Sequence, residues 1–405
     1  MKGFLPPRLP VARRPRVLRP GGKLVRWVLV AFLATVTLPA GAQQWQFEPT
    51  VSLGVDYDDN ITLDPEDPRS SFGTSARVAV RGVQSTESTR LGLLAGLGLR
   101  QFSDGGDLDD VTAFLGVDGT YLAPRSQFQL NLSVSTQSTL TSETETTGVG
   151  DPNGQQYRVA IRPAWDYRLD ERSSFGVSAN VSAVFYEDVE DASLSDYRSG
   201  ELSLSAAHSL TERAGINAVL SYGYYESQGD DNETENLAFQ AGANYQLSET
   251  VSFALLFGLR RTEATFPGVG AREVTETSTG PIYSLSIEKR FARGGGVSLS
   301  ALRDLAPSGA AEVLDTTSLQ LGYRYPLSER VNLQFSSRAY RNRQTGGQSS
   351  ASDRTYADGQ LGLSYQVRRS WRLAIDYRHR WQKNDEDPAS AQSNAVTLSL
   401  AWSGR

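Results

Sequence analysis

Regular two-residue alternation of apolar and polar side chains constrains this sequence more than any other feature. From Tyr157 to Arg168, one face carries Tyr, Val, Ile, Pro, Trp and Tyr, and the other carries Arg, Ala, Arg, Ala, Asp and Arg. The same alternation recurs around Val177, Leu255 and Leu373. This period is typical of β-strands, and helical spacing is not found over a useful length after residue 42. The alternation predicts an all-β chain whose strands each have one apolar face.

The beginning of the chain differs from the rest and predicts a cleaved signal peptide. Basic residues lead into an apolar stretch from Trp27 to Leu38, and small residues follow at Ala40 and Ala42. The stretch of about 12 residues is shorter than the roughly 20 that a permanent membrane-spanning anchor needs, and the A-x-A spacing suits signal peptidase. We expect residues 1–42 to be removed and residues 43–405 to form one domain. Its net charge is then −14 instead of −6, because eight Lys and Arg and no acid are lost.

Short and long connections alternate between the strand-like segments. Four short ones share the pattern Leu, then Ser, Thr or Asp, then Glu, then Arg or Thr, at residues 169–172, 210–213, 247–250 and 327–330. The long ones are polar and acidic, at residues 58–71, 103–110, 139–154, 187–195, 226–234 and 262–276. Tight turns at one end and long loops at the other are typical of an up-and-down antiparallel barrel of the outer membrane.

The number of strand-like segments predicts about eighteen strands. They lie near residues 47–57, 74–83, 89–102, 111–121, 127–138, 155–168, 174–186, 196–208, 215–225, 235–246, 251–261, 278–288, 296–304, 316–325, 331–340, 355–366, 371–380 and 394–402. A count of sixteen stays open, because a looser segment at 290–296 joins two of them. An even count places both termini at the short-turn end, which we expect to be periplasmic.

Aromatic residues cluster at both ends of these segments. Trp165 and Tyr167 lie at short-turn ends, and Tyr57, Tyr222 and Tyr377 lie towards long-loop ends. A soluble sandwich is the alternative fold, but two aromatic rings are typical of two membrane interfaces. Lipid offers no partner for an unpaired backbone group, so the sheet must close. We therefore expect a transmembrane β-barrel in the bacterial outer membrane, with lipid, lipopolysaccharide and the barrel-assembly machinery as partners and no nucleic acid.

The polar face of the strands carries many arginines and would line the lumen. The candidate pore-lining residues are Arg77, Arg81, Arg90, Arg100, Arg158, Arg162, Arg260, Arg324, Arg338, Arg372 and Arg378. Alternation places Arg168 and Arg380 on the same face. The acids on that face are Asp56, Asp118, Asp166, Asp304, Asp376 and Glu288. A basic lumen predicts an anion-preferring pore. The other interpretation, that the arginines form neutralising pairs near the strand ends, stays open.

Catalytic, metal and cofactor sites are not indicated by the sequence. The chain has no Cys and two His residues, and His208 and His379 fall at opposite strand ends. A nucleophile activated by a histidine therefore has no evident second partner. Acidic runs at 104–110 and 385–387 do not have the spacing of a calcium-binding loop, so solvated charge is their expected role. We expect no enzymatic activity, no metal and no cofactor.

The opening strand and its turn resemble one known family. Residues Phe47 to Asn60 are an alternating strand that runs into Tyr-Asp-Asp-Asn, and hairpins with Leu-Ser/Asp-Glu-Arg turns fill the chain that follows. This is similar to β-barrel porins encoded with exopolysaccharide biosynthesis clusters of proteobacteria, and the resemblance covers residues 43–405. It implies secretion of a polysaccharide across the outer membrane, with periplasmic polysaccharide export proteins as partners. A general diffusion porin for small anionic solutes and a structural or surface-binding barrel remain the alternatives.

Overall fold

The structure covers most of the chain after the predicted signal peptide. The computed structural model describes residues 45–103, 108–143, 154–189, 194–228, 232–267, 273–345, 353–385 and 389–404. The predicted signal peptide, residues 1–42, lies outside this part of the chain. No helix among the described residues has the length and apolar character needed to cross a membrane.

Eighteen strands and one short helix, α1 (Thr139–Ser142), form the described chain. The strands are β1 (Gln46–Asp58), β2 (Ser71–Ser85), β3 (Thr89–Phe102), β4 (Asp110–Leu122), β5 (Ser126–Ser138), β6 (Gln155–Arg168), β7 (Ser173–Glu187), β8 (Tyr197–Ser209), β9 (Ala214–Ser227), β10 (Glu233–Ser248), β11 (Val251–Pro267), β12 (Glu273–Arg290), β13 (Gly296–Pro307), β14 (Val313–Pro326), β15 (Val331–Gln344), β16 (Arg354–Arg368), β17 (Trp371–Asn384) and β18 (Ser390–Ser403). The predicted number of strands is confirmed, including the pair on either side of the looser turn.

The sheet closes on itself as an antiparallel barrel. Each strand pairs with its neighbours in the chain, and β1 also pairs with β18, from Thr50 opposite Ser403 to Asp58 opposite Ala395. The first strand begins and the last strand ends at the end that holds the short turns. The predicted closed barrel is confirmed.

The second residue of the recurrent turn motif caps its own hairpin. In the β6–β7 turn, a carboxylate oxygen of Asp170 accepts the backbone N–H groups of Arg172 and Ser173, both at 2.7 Å. The hydroxyls of Thr211 and Ser328 accept the two equivalent N–H groups in their own turns. Short oxygen-bearing side chains suit this position because they bond the backbone two and three residues further on.

Some strands extend further than alternation predicts, and the longest extensions are at the long-loop end. Residues 262–276 were expected to be a connection, but β11 continues to Pro267 and β12 starts at Glu273. Apolar residues do not alternate regularly in this extension, so the sequence has no two-residue pattern there. The predicted connection 139–154 contains α1, whose cap residue Ser138 accepts the N–H of Leu140 at 3.2 Å.

The outer face of the barrel carries an exposed apolar belt. Alternate residues of every strand contribute, such as Leu53 (58% exposed), Phe257 (56%) and Leu319 (50%). Aromatic rings border the belt at the short-turn end, where Trp165 stacks on Phe128 at 6.3 Å between ring centroids. A continuous apolar surface of this size requires a lipid or protein cover in water.

Candidate pore and its constriction

The register of the sheet assigns each side chain to the inner or the outer face. Two residues that lie opposite each other in a strand pair are on the same face of the sheet. Asp56 lies opposite Gly73 on β2 and opposite Thr397 on β18, and the same rule assigns the residues of every other strand in turn. Buried clusters that join non-neighbouring strands contain residues of this face, which is therefore the inner one. The inner face carries Arg77, Arg81, Arg90, Arg100, Arg158, Arg162, Arg260, Arg324, Arg338, Arg372 and Arg378.

The β1–β2 connection folds into the barrel and forms the first inward segment, residues 59–70. Its Leu63 is 1% exposed and packs against Tyr340, Tyr356 and Ala391 of the inner wall. Gln382 donates a hydrogen bond to the carbonyl of Leu63 at 2.6 Å. Leu63 has a φ of 56°, a left-handed conformation that is costly for a non-glycine residue. Wall contacts hold the segment in this unfavourable geometry.

Asp58 and Arg380 anchor the first inward segment. Arg380 donates to Asp58 at 2.7 Å and to the carbonyls of Asn60 and Ile61 at 3.1 and 3.4 Å. Ser393 donates to the other carboxylate oxygen of Asp58 at 2.6 Å. The two charged side chains are each less than a tenth exposed, so each depends on the other for its neutralisation.

The remaining residues of the Tyr-Asp-Asp-Asn turn fix its course. Asp59 accepts both the backbone and the side-chain N–H of Asn394, at 2.6 and 2.8 Å. Asn60 donates to the carbonyls of Asp64 and Gln392 and accepts the N–H of Asp64. The motif that carries the family resemblance is thus a set of contacts that turns the chain into the lumen.

The β5–β6 connection supplies the second inward segment, residues 139–143. Glu143 is 3% exposed and accepts hydrogen bonds from Gln156 at 2.7 Å and from Tyr186 at 2.5 Å. Leu140 and Ile61, one from each inward segment, border a recess of about 250 Å³. Its wall side includes Arg100, Phe102, Asp376, Arg378 and Arg380.

The third inward segment is the upper part of the β13–β14 hairpin, residues 303–315, called here the inward hairpin. Its Leu305 and Val313 pack against Val184, Tyr197 and Tyr225 of β7, β8 and β9. Three strands separate β9 from β13, so these contacts cross the lumen. The three inward segments together narrow the barrel at its long-loop end.

Several arginines near the constriction form ion pairs. Arg100 pairs with Asp56 at 2.5 Å, and Arg338 pairs with Asp358 at 3.0 Å. Arg378 also approaches Asp358, at 4.0 Å. The side chains of Asp56 on β1 and Arg100 on β3 meet across β2, at the level of Gly73. A Cβ added to Gly73 would lie 2.8 Å from the Asp56 carboxylate. The interpretation of neutralising pairs therefore describes this end of the barrel.

Other arginines of the inner face have no ion pair among the described residues. This group includes Arg77, Arg81, Arg90, Arg158, Arg162, Arg324 and Arg372. Arg162 donates to the side-chain oxygen of Asn180 at 3.1 Å. Arg324 and Arg372 border a recess of about 440 Å³ near the short-turn end, and Arg162 borders another of about 540 Å³. Asp118 and Glu201 line the larger recess and Asp376 lines the smaller one, so the arginines outnumber the acids only in the smaller recess.

The sequence count understated the acids of the inner face. The register also places Glu48, Asp58, Asp110, Glu201, Glu276 and Asp358 there. The two-residue alternation that identified the arginines would have found Glu48, Glu201 and Asp358, which lie within the predicted strands. The excess of positive charge in the lumen is therefore smaller than the sequence indicated, which gave thirteen arginines and six acids.

The two histidines lie on different strands and contact different polar side chains. His208 contacts Ser173 at 3.1 Å at a short-turn end, and His379 contacts Asn394 at 3.0 Å on the outer face. In the described part of the chain, no three His, Asp or Glu residues are grouped to hold a metal ion. The acidic runs 104–110 and 385–387 lie partly outside the described residues, so their expected role stays a prediction.

A closed barrel with an apolar belt and a polar lumen narrowed by loops defines a β-barrel protein of the outer-membrane class. The chain belongs to the family described as outer membrane protein beta-barrel domain, whose model matches residues 199–403. Its location is therefore the outer membrane. A second family model, named for a MetA pathway of phenol degradation, matches residues 116–272.

Solved structures of similar architecture are distant in sequence. OccAB3 of Acinetobacter baumannii is 13% identical, with a TM-score of 0.43 over 89% of this chain and 100% of that chain. OpdK of Pseudomonas aeruginosa is 11% identical, with a TM-score of 0.44 over 89% of this chain and 99% of that chain. OccK2 of Pseudomonas aeruginosa is 13% identical, with a TM-score of 0.43 over 89% and 98%. No curated protein matches the chain.

Proposed function

We propose that this protein is an outer-membrane channel for hydrophilic solutes, with its short-turn end in the periplasm. The observation that carries the proposal is the polar inner face, with recesses of about 440 and 540 Å³ below the inward segments. Barrels of this strand number are wide enough for an aqueous lumen, unlike barrels of eight strands. Arg324 and Arg372 share the recess near the short-turn end with one acid, Asp376, and this local excess of positive charge favours anions.

The first test is planar-bilayer conductance of the refolded chain, residues 43–405, under a salt gradient. We expect discrete steps with a reversal potential on the anion-preferring side. Cation preference would contradict the proposed role of the arginines. A complete lack of conductance would contradict the channel and favour a structural or surface-binding barrel.

The finer proposal is secretion of an exopolysaccharide, which rests on the family resemblance in the Tyr-Asp-Asp-Asn turn and the hairpin motif. Its partners would be periplasmic polysaccharide export proteins at the short-turn end, where β1 begins and β18 ends. The lumen offers Ser, Asn, Gln and Arg side chains that suit sugar hydroxyls. Deletion in the producing bacterium should abolish secreted polysaccharide and leave nutrient uptake unchanged.

A general diffusion porin for small anionic solutes is the second candidate. The observation that favours it is the constriction, because three inward segments leave less room for a polymer than for a small solute. In that case, deletion should reduce uptake of small anions and leave polysaccharide secretion intact. The same deletion strain therefore separates the two candidates.

A further inference from the structure

The recess near the short-turn end lies between two arginines of the inner face. Arg324 on β14 and Arg372 on β17 border this space of about 440 Å³. Its size is within the usual range of small-molecule sites, about 300–1,000 Å³. Three strand spacings separate β14 from β17, which is about 14 Å along the sheet. A molecule in the recess therefore has a guanidinium group on each side of it.

Uncharged polar side chains cover the wall between the two arginines. Gln334 lies opposite Arg324, and Asn332 lies opposite Ser364. Gln334, Asn332 and Ser364 all border the recess. Amide and hydroxyl side chains can each donate and accept hydrogen bonds. This part of the wall therefore suits a solute that carries hydroxyl groups.

The polar side chains of this wall are not engaged by other parts of the protein. Among the residues that the structure describes, no hydrogen bond or ion pair is formed by the side chains of Arg324, Arg372, Asn332, Gln334 and Ser364. The constriction differs, because Arg100, Arg338 and Arg380 each pair with a carboxylate there. The hydrogen-bonding groups near the short-turn end are thus available to a solute.

A carboxylate shares the recess with the two arginines. Asp376 on β17 lies opposite Gly362, and a Cβ added to Gly362 would overlap the carboxylate. Gln360 donates a hydrogen bond to Asp376 at 3.3 Å, and neither arginine of the recess pairs with it in the described structure. An ionised carboxylate has about four acceptor positions. Asp376 therefore lies over the glycine and can accept further hydrogen bonds.

This combination of groups indicates which class of anion fits. A simple anion would bind an arginine but would be repelled by Asp376, and it would have no hydroxyl for the amides. A carboxylated solute with several hydroxyls can use every group. Its carboxylate can accept a bidentate pair of hydrogen bonds from an arginine, and its hydroxyls can donate to Asp376. A sugar acid has both kinds of group.

We propose that this recess is a binding site for sugar acids of the uronate type. Arg324 and Arg372 bind carboxylates, and Asp376, Asn332 and Gln334 bind ring hydroxyls. A role of the site in transport rests on the proposed channel function, whereas binding itself does not. The site takes either a free sugar acid or a unit of an acidic polysaccharide, since both have the same chemistry.

The first test compares three probes on the unaltered, refolded barrel, residues 43–405, in detergent micelles at low salt. Saturation-transfer NMR would measure the affinity for galacturonate, galactose and acetate. We expect galacturonate to bind most tightly, because only this probe has both the carboxylate and the hydroxyls. Galactose of equal affinity would overturn the role of the arginines. Acetate of equal affinity would overturn the assignment to sugars.

Charge variants test whether binding takes place in this recess. Arg324→Gln with Arg372→Gln should lower the affinity for galacturonate about tenfold, because the charge-assisted hydrogen bonds are lost. Arg81→Gln with Arg90→Gln is the matched control. It removes the same charge from two inner-face arginines outside the recess, which have no ion pair among the described residues. Equal affinities of the two double variants would overturn the site.

The carboxylate of the recess gives a test with opposite signs. Asp376→Ala should raise the affinity for acetate, because a repulsive charge is removed. The same change should lower the affinity for galacturonate, because a hydroxyl acceptor is lost. Heat-modifiable gel mobility would verify that each variant is folded. A higher affinity for both probes would mean that Asp376 only repels anions, and would overturn the assignment to sugar acids.

An oligomer separates the two sources of a sugar acid. Trigalacturonate has a carboxylate on each unit and can contact both arginines at once. Tighter binding of trigalacturonate than of galacturonate supports the site and indicates an acidic polysaccharide. Equal affinities support the site and indicate a free sugar acid.

Binding in micelles and conductance in bilayers can fail independently. If galacturonate binds but the barrel does not conduct, the site is retained and the channel is refuted. If the barrel conducts with anion preference but galacturonate does not bind, the site is overturned and the channel is retained.

Discussion

Arg380 of β17 and Asp58 of β1 form a buried ion pair at 2.7 Å, although they are 322 residues apart in the chain. Asp58 is the second residue of the turn motif, and Arg380 also binds two carbonyls of the first inward segment. The pair therefore connects wall closure to constriction of the lumen.

Removing the charge of Asp58 should release the first inward segment. In Asp58→Asn, Arg380 keeps a buried positive charge without a counterion, a defect that costs about 3–5 kcal/mol. We expect a larger single-channel conductance than in the parent protein. The matched control is Glu66→Gln, since Glu66 is exposed in the same connection. The anchoring role would be refuted by identical conductance in both variants.

Filling the space at Gly73 should disrupt the ion pair that crosses β2. In Gly73→Ala, the new methyl would lie 2.8 Å from the Asp56 carboxylate, and overpacking of this kind costs about 1–3 kcal/mol. The folded barrel should therefore lose its fast gel mobility at a lower temperature. Gly359→Ala is the control, because nothing lies within 4 Å of its added Cβ. Equal transition temperatures would count against the steric argument.

Neutralising two arginines near the short-turn end should reduce anion preference. A unit charge about 10 Å from the pore axis is worth about 0.4 kcal/mol in water, or about twofold in ion concentration. Arg324→Gln with Arg372→Gln should lower the anion concentration in the pore about fourfold at low salt and raise that of cations about as much, which shifts the reversal potential towards cation preference. Arg341→Gln serves as the control, since Arg341 pairs with Asp385 away from these recesses. An unchanged reversal potential would exclude these arginines from ion selection.

The β6–β7 turn should respond to acid through Asp170. Hydrogen bonds from Arg172 and Ser173 favour its charged form and hold its pKa below the usual 3.8. Because the pKa of Asp170 is lower in the folded turn than in the unfolded chain, its charged form stabilises the turn at pH values above the unfolded pKa. This contribution is lost as the pH falls through the folded pKa. Side-chain NMR in detergent micelles should show a titration midpoint under 3.8. Asp170→Asn keeps the acceptor oxygen and should remove the pH dependence, whereas a midpoint at or above the usual value would contradict the capping geometry.

The sequence predicted the fold almost completely, because each strand is specified locally. β3 and β6 have the predicted bounds, since regular alternation runs along the whole of each strand. The upper parts of β11 and β12 were missed because apolar residues do not alternate regularly there. Strand pairing there is set by the neighbouring strand rather than by a lipid-facing pattern.

The candidate pore was only partly predictable. Alternation assigned the arginines to one face, and the same rule applied to Glu201 and Asp358 would have corrected the charge balance. The inward segments could not be predicted, because their positions depend on distant partners. Leu63, for example, is buried by residues of β15, β16 and β18. A single sequence has no local signal for such contacts.

Closure of the barrel has a consequence for its biogenesis. The anchor of the first inward segment takes Asp58 from the first strand, Arg380 from the seventeenth and Ser393 from the last. It cannot form on a nascent or partly inserted sheet, because β1 must first meet β18. Barrels that stall during insertion therefore keep an unrestrained first loop, and a protease acting on that loop would distinguish them from finished molecules.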